Sequence, residues 1–449
     1  MQRPTMSSFF RRPGDSPLPA NGMWKATFSA LCASLVAVYY FYRFKTVEES
    51  PKTISKIEWR HDEDFVPSII SESEPVVLVR TPFDAWPSRK WTPEYLSSKI
   101  QFIMTKKSKE KVFKYFAQNQ PLTSVQGLAL ENKTYSEVVM TGKQFIEKAF
   151  GLHDGNYYYA SGPVDQLDLR QDVGDVNRLA ALANGSESPA TVNFWMGSAG
   201  VTAHTHYDTS HNFHAVLWGR KRFYLLPPRA HSLLKLYPCL HQFYRQVQEN
   251  LFDLNSSVVE VDLLPGDVLY IPPYWFHAVV TVEATLSLNV WSVSREYLAM
   301  EKAYSMALPL DRTWPKLRFA AASRLYVEEV LALLERHLNQ TPVDFIENVY
   351  RERYEALLDV NARAVSAIAD LEVLRTRLSA AARDLADMIA TGHDHSDRPH
   401  VLEINVGNWV EHMALTSVLF ERDWTTKDDL KSFYASRIVR ARDLRLTDD

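Results

Sequence analysis

Apolar and polar positions change texture three times along the chain. From Ala26 to Tyr42 (ATFSALCASLVAVYYFY) 17 positions carry no charge, which is the lower limit for a membrane-spanning helix. Lys25, Arg43 and Lys45 bracket the segment, and Tyr39, Tyr40 and Tyr42 cluster at its far end, where interfacial aromatics belong. The expectation is an N-terminal tail over 1–25, a single membrane anchor over 26–42 and a polar linker over 43–60. A cleaved targeting peptide is the rival, but the bulky Tyr-Tyr-Phe-Tyr end lacks a small-residue cleavage pattern.

Across 61–300 the apolar residues come in short β-branched or aromatic runs: Pro75–Val79, Tyr157–Tyr159, Ala190–Trp195, Arg222–Leu226, Val258–Asp262, Val268–Ile271 and Leu286–Trp291. Short strands separated by turn signals such as Leu264-Pro-Gly-Asp267 predict a sandwich or barrel. Thr92-Pro93-Glu94 is an N-cap with proline at the first helical position, so a helix runs on through Leu96 and Ile100. Over 301–449 the periodicity turns helical. Leu371, Leu374, Leu378, Ala381, Leu385 and Met388 form a heptad seam that suits an intramolecular helix pair or a homodimer interface.

Composition narrows the functions. Apolar residues make up 46% and charged residues 23%, a globular balance. The net charge of −4 gives no overall reason to bind nucleic acid. Cys32 and Cys239 cannot build a disulfide framework or a zinc ribbon, so any metal must be held by His, Asp or Glu. Sequons at Asn132, Asn184, Asn255 and Asn339 permit glycosylation. Together with the anchor they give an expected single-pass membrane location, in the endoplasmic reticulum or Golgi with a lumenal catalytic domain, although the flanking charges barely choose a side.

The chemistry begins at His206-Tyr207-Asp208. On a strand, residues two apart project to one face, so His206 and Asp208 can converge on one ion while Tyr207 faces away. His61-Asp62-Glu63 and His395-Ser396-Asp397 share the spacing but lie in polar, non-strand segments and read as solvated loops. His277 follows the run Val268–Ile271 and the corner Pro272-Pro273, which makes it a candidate third ligand from a neighbouring strand. Two His and one carboxylate bind one face of Fe(II) and leave the other open. Arg220 and Arg222 read as surface residues, His204 as lining the pocket mouth, and Tyr274-Trp275-Phe276 as core and pocket wall.

These motifs carry a resemblance. Gly197-Ser-Ala-Gly200, His206-Tyr-Asp208, Asn212-Phe213, Gly219 to Pro228, Pro265 to Pro272, Trp275-Phe-His277 and Leu288-Asn-Val-Trp291 resemble, in that order, the JmjC or cupin-like Fe(II)/2-oxoglutarate oxygenases. In style the chain is most similar to the small hydroxylase branch that includes the asparaginyl hydroxylase acting on hypoxia-inducible factor. The resemblance implies a double-stranded β-helix with flanking helices, in which His206, Asp208 and His277 bind iron. It makes Lys221 the partner of the distal carboxylate of 2-oxoglutarate. Tyr158, one of three successive tyrosines, would bond the same group, Asn212 and Asn289 would line the pocket, and Trp291 would pack beneath it. The hydroxylase branch often has Thr three residues before the first ligand; here Ala203 stands there, so a hydroxyl contact depends on a bulge in the strand.

The implied reaction consumes O2 and 2-oxoglutarate, releases succinate and CO2, and hydroxylates a C–H bond, with a protein side chain as the expected substrate and no nucleic acid partner. Three alternatives stay open: a catalytically silent cupin-like scaffold at a membrane, a JmjC lysine demethylase, and an RNA-base hydroxylase.

Overall fold

The computed structural model describes residues 54–420 except 63, 116–133, 175–189, 238–242, 249–257, 312, 354–368 and 394–398. The segment 26–42 expected to anchor the chain, and the sequons at Asn132, Asn184 and Asn255, lie outside these residues. Among the described residues no helix is long and apolar enough to cross a membrane.

The strands are β1 (Ser55–Glu58), β2 (Val76–Val79), β3 (Ile103–Ser108), β4 (Val112–Phe113), β5 (Tyr135–Met140), β6 (Tyr157–Pro163) and β7 (Thr191–Gly197), followed by β8 (Thr202–Tyr207), β9 (Ser210–Trp218), β10 (Lys221–Leu226), β11 (Val259–Leu263), β12 (Val268–Ile271), β13 (Phe276–Thr281) and β14 (Thr285–Val293). One sheet runs β1-β2-β12-β9-β14-β7-β6-β3-β5 and the second β11-β10-β13-β8-β4. The short strands thus form the β-rich, two-sheet arrangement they predict, as the resemblance also implies. β1 begins inside the stretch read as linker and pairs parallel with β2.

Strand alternation explains which face holds chemistry. On β14, Leu286, Leu288 and Val290 join an apolar core, whereas Ser287, Asn289 and Trp291 have the opposite parity. β7 repeats this, with Val192, Phe194 and Met196 in the core and Asn193 and Trp195 on the other face. The core is closed by helices α1 (Phe65–Glu72), α2 (Pro93–Lys99) and α3 (Gly142–Phe150), which contribute Phe65, Leu96 and Phe145. Thr92 caps α2 as its sequence predicts, its hydroxyl accepting from the Tyr95 amide at 3.2 Å. Besides β1 and the two-residue β4, three longer strands escaped the sequence pattern. β3 and β5 are broken by lysine and glutamate, and β9 is buried over seven consecutive residues and so shows no alternation.

A short helical turn, α4 (His231–Leu234), precedes five-residue β11, and the C-terminal region is helical: α5 (Arg295–Ser305), α6 (Lys316–Leu338), α7 (Pro342–Arg353), α8 (Leu371–His393) and α9 (Pro399–Phe420). The heptad seam is spent inside the chain, which corrects the homodimer expectation. Leu374, Leu378 and Leu385 are buried in one core with Leu331, Leu334 and Trp409, so the apolar stripe that a second copy would need is already covered.

Candidate active site

His206 is the penultimate residue of β8, and Asp208 lies just beyond the strand's end. β13 lies antiparallel to β8 with His277 directly opposite His206, and the two ring centroids are 4.3 Å apart. Asp208 Oδ2 stands 3.7 Å from His277 Nε2. The three side chains offer ligand atoms that all lie within 4.8 Å of one another. The His206 Nδ1 lies 2.7 Å from the His204 carbonyl, and the His277 Nδ1 lies 3.0 Å from that of Trp275. A carbonyl only accepts, so both Nδ1 atoms carry the proton and both Nε2 lone pairs face the ion position. Burial, then the neighbouring His206, pulls the His277 pKa down to about 4, which keeps that ring neutral and able to ligate.

Tyr207 faces away from the ligands, as its parity predicts. It stacks on Tyr274 and packs edge-on against Phe276, and its hydroxyl accepts from Asn408 Nδ2 of α9 at 3.2 Å. Tyr274, Trp275 and Phe276 are core. Arg220 and Arg222 pair with Glu283, Glu260 and Asp262 at the surface.

An inner cavity of about 40 Å³ holds the triad together with Lys221, Asn212, Asn289 and Trp291. Lys221 is 4% exposed, and its ammonium donates to Ser287 Oγ at 2.7 Å. Burial lowers its pKa to about 7. No carboxylate pairs with it among the described residues, so the cavity presents a buried cation in need of an anion. Asn289 donates to Asn212 Oδ1 at 3.1 Å and accepts from the Trp195 indole at 2.9 Å. His214 Nε2 and Trp291 Nε1 are buried without a partner and line the same space. A small molecule with carboxylate groups fits this donor-rich, cationic lining.

One sequence expectation is corrected, and a second, the bulge on which the Ala203 position depends, is met. Tyr158 does not reach the cavity: its parity on β6 sends it into the apolar core, where its hydroxyl donates to Asp154 at 2.9 Å. Tyr159, on the other face, lines the cavity instead. Ala203 does line it, because the pairing of β8 and β13 slips between His277 and Val279. His206 and Ala203 are three apart but oppose residues two apart, so β8 bulges and turns both toward the pocket. The cavity also holds a hydroxyl that the sequence reading did not single out. Thr281 lies directly opposite Lys221 in the β10–β13 pairing and lines the cavity beside it.

A second cluster lies between α4 and α9. Glu403 Oε2 meets His231 Nε2 at 3.0 Å and His400 Nδ1 at 2.9 Å. Glu403 is held near a pKa of about 2 by these imidazoles against the opposing effect of burial. His393 is buried and bonded to Asn405 and the Ile389 carbonyl, while His395 lies outside the described residues.

A family model described as a cupin-like domain matches residues 62–294. The chain is 28% identical over 242 residues to the protein named lysine-specific demethylase JMJ31 of Arabidopsis thaliana, covering 51% of this chain and 41% of that one. It is 27% identical over 282 residues to human HSPB1-associated protein 1, covering 56% of each. It is 27% identical over 243 residues to chicken tRNA wybutosine-synthesizing protein 5, covering 51% of this chain and 73% of that one. The chain thus spans about half the length of the first two relatives. The matched stretch coincides with the sheets that carry the triad, and the chain belongs to the cupin-like JmjC oxygenase family.

Proposed function

We propose that the chain is an Fe(II)- and 2-oxoglutarate-dependent dioxygenase that hydroxylates a protein side chain. The observation that carries this reading is the buried Lys221 ammonium in the same cavity as His206, Asp208 and His277. The three ligands supply nitrogen and oxygen donors to one side of an ion, and the lysine supplies the counter-charge for a dicarboxylate. When bound, iron and 2-oxoglutarate supply oxygen activation, with release of succinate and CO2.

The protein's own share is positional. The carbonyls of His204 and Trp275 fix both imidazoles. Lys221 and Thr281 would hold the distal carboxylate of a bound dicarboxylate, and Asn212 and Asn289 order the cavity between. Tyr159, Trp195 and Trp291 wall the passage outward and limit water around the reacting centre. The apolar segment 26–42 supports a membrane tether for this enzyme.

Demethylation is the second reading, favoured by the name of the Arabidopsis relative. It uses the same residues, with an N-methyl group as the oxidised carbon. Product analysis separates the two. Hydroxylation leaves one oxygen atom from 18O2 on the target and releases no formaldehyde, whereas formaldehyde matching succinate mole for mole contradicts the hydroxylase reading.

A further inference from the structure

Away from the iron position, α4 and α9 meet at a cluster of side chains that can ligate a metal. Glu403 Oε2 stands 3.0 Å from His231 Nε2 and 2.9 Å from His400 Nδ1, and the two imidazole centroids are 6.0 Å apart with an interplanar angle of 50°. One ligand atom from each of the three residues lies within 4.8 Å of the others. Adjacent ligands of an ion bound at about 2.0–2.1 Å stand about 2.8–3.4 Å apart in octahedral or tetrahedral shells. The carboxylate already holds that spacing to both rings, and rotation of the rings toward each other closes the shell.

The fold sets this placement. His400 and Glu403 are three apart in the first turns of α9, just after Pro399, and so share one face of the helix. His231 opens α4. One apolar core fixes both elements: Ala230 and Leu234 flank His231, Val401 and Ile404 flank the α9 pair, and all four are buried with Tyr207. Tyr207 points away from His206 and Asp208, so this core lies behind β8 and the cluster is separate from the iron position. The His231 and Glu403 side chains are 19% and 15% exposed, and that of His400 is 41% exposed. An ion there is sheltered on one side and open to a water on the other.

The donor set names the ion. A carboxylate oxygen only accepts, so in the metal-free chain each ring nitrogen facing Glu403 donates to it. With the proton on the other nitrogen of each ring, both lone pairs and the carboxylate converge on one point. Two imidazole nitrogens and one carboxylate, with no thiolate, suit Zn(II), whereas Mg(II) and Ca(II) take shells of oxygen. Three such ligands and a water complete a tetrahedral zinc shell.

We propose that His231, His400 and Glu403 form a second metal site, which takes Zn(II) and clamps α9, and with it the C-terminal helices, to the β-sheet domain. The three ligands come together only when α9 is docked on α4, so the ion stabilises the docked chain by mass action. The site does not depend on the oxygenase reading, and either stands if the other falls.

Zn(II) itself is the probe, added to the full chain carrying His206→Ala and Asp208→Ala so that the iron ligands contribute nothing. Competition with a chromophoric chelator and thermal unfolding are read on the same preparation. One equivalent of Zn(II) is expected to bind and to raise the melting temperature by about 2 °C or more, while millimolar Mg(II) leaves it unmoved. Adding His231→Gln is expected to weaken Zn(II) by about tenfold or more and to abolish the shift. His400→Ala, at the most exposed of the three positions, is expected to do the same, and it decides the matter if His231→Gln loses its native circular dichroism. X-ray absorption at the zinc edge needs neither variant and is expected to show two imidazoles and no sulfur. No bound zinc, a melting temperature that zinc leaves unmoved or that Mg(II) raises equally, an affinity that survives the folded variants, or a shell with sulfur or fewer than two imidazoles overturns the proposal.

Discussion

Lys221 is the residue on which the cavity's electrostatics turn. In the free protein it is a buried charge paired only with a hydroxyl, so Lys221→Met is expected to stabilise the ligand-free chain by about 1–4 kcal/mol. The same change is expected to raise the KM for 2-oxoglutarate by tenfold or more. Denaturant unfolding and succinate kinetics on one preparation check both directions, and a destabilised variant with unchanged KM contradicts the role.

Its pKa, lowered from 10.5 to about 7, also has a sign. Between those values the unfolded chain binds more protons than the folded one, so the unfavourable contribution, complete below about pH 7, fades as pH rises toward 10.5. A bound dicarboxylate favours the ammonium, so 2-oxoglutarate binding at about pH 8.5 is expected to take up a proton, approaching one per site. Calorimetry in buffers of different ionisation enthalpy reads that uptake.

His206 and Asp208 were readable as a pair because their spacing on a strand turns both to one face, and His277 because it follows a strand and a proline corner, whereas Lys221 was reached only through the resemblance. Tyr159 was missed, since three consecutive tyrosines contain nothing that fixes parity. Thr281 was hidden because a position set by tertiary pairing leaves no local motif.

At the scale of elements, the strands carrying the site hang on their corners. Gly219 joins β9 to β10 at φ of 76°, and a β-carbon there would meet the Ala284 carbonyl oxygen at 2.1 Å. Gly219→Ala is therefore expected to cost about 1–3 kcal/mol, and, by shifting the start of β10, to weaken 2-oxoglutarate through Lys221. Thermal unfolding with and without 2-oxoglutarate measures both effects.

Elements with a clean period were readable: β2, β12, β14 and the start of α2 fall where the sequence predicts. β3 and β5 were not, because Lys106, Lys107 and Glu137 interrupt the usual apolar alternation. The heptad seam on α8 was correctly apolar, but periodicity does not say whether the partner helix belongs to the same chain.

At the scale of the molecule, the C-terminal helices support the site. Val401 and Ile404 of α9 share a core with Tyr207, Tyr274 and Phe276 of the metal-bearing region, and Asn408 bonds Tyr207, which stands between the ligands His206 and Asp208. A chain ending at residue 300 is expected to expose this core and aggregate, as size-exclusion chromatography would show. Glu403→Ala removes the His231 bond that fastens α9 to α4 and the His400 bond within α9, and a loss of about 1–3 kcal/mol in denaturant unfolding is expected. None of this docking was visible in the sequence, where the helical region reads only as a separate texture.

The most direct test of the oxygenase account is succinate formation from 2-oxoglutarate by the full chain with Fe(II) and ascorbate, beside the double variant His206→Ala, Asp208→Ala. The account predicts Fe(II)-dependent succinate from the native chain and none above background from the variant, whose circular dichroism matches the native chain. Equal turnover in the two, or a native chain that neither binds nor turns over 2-oxoglutarate with Fe(II), contradicts it.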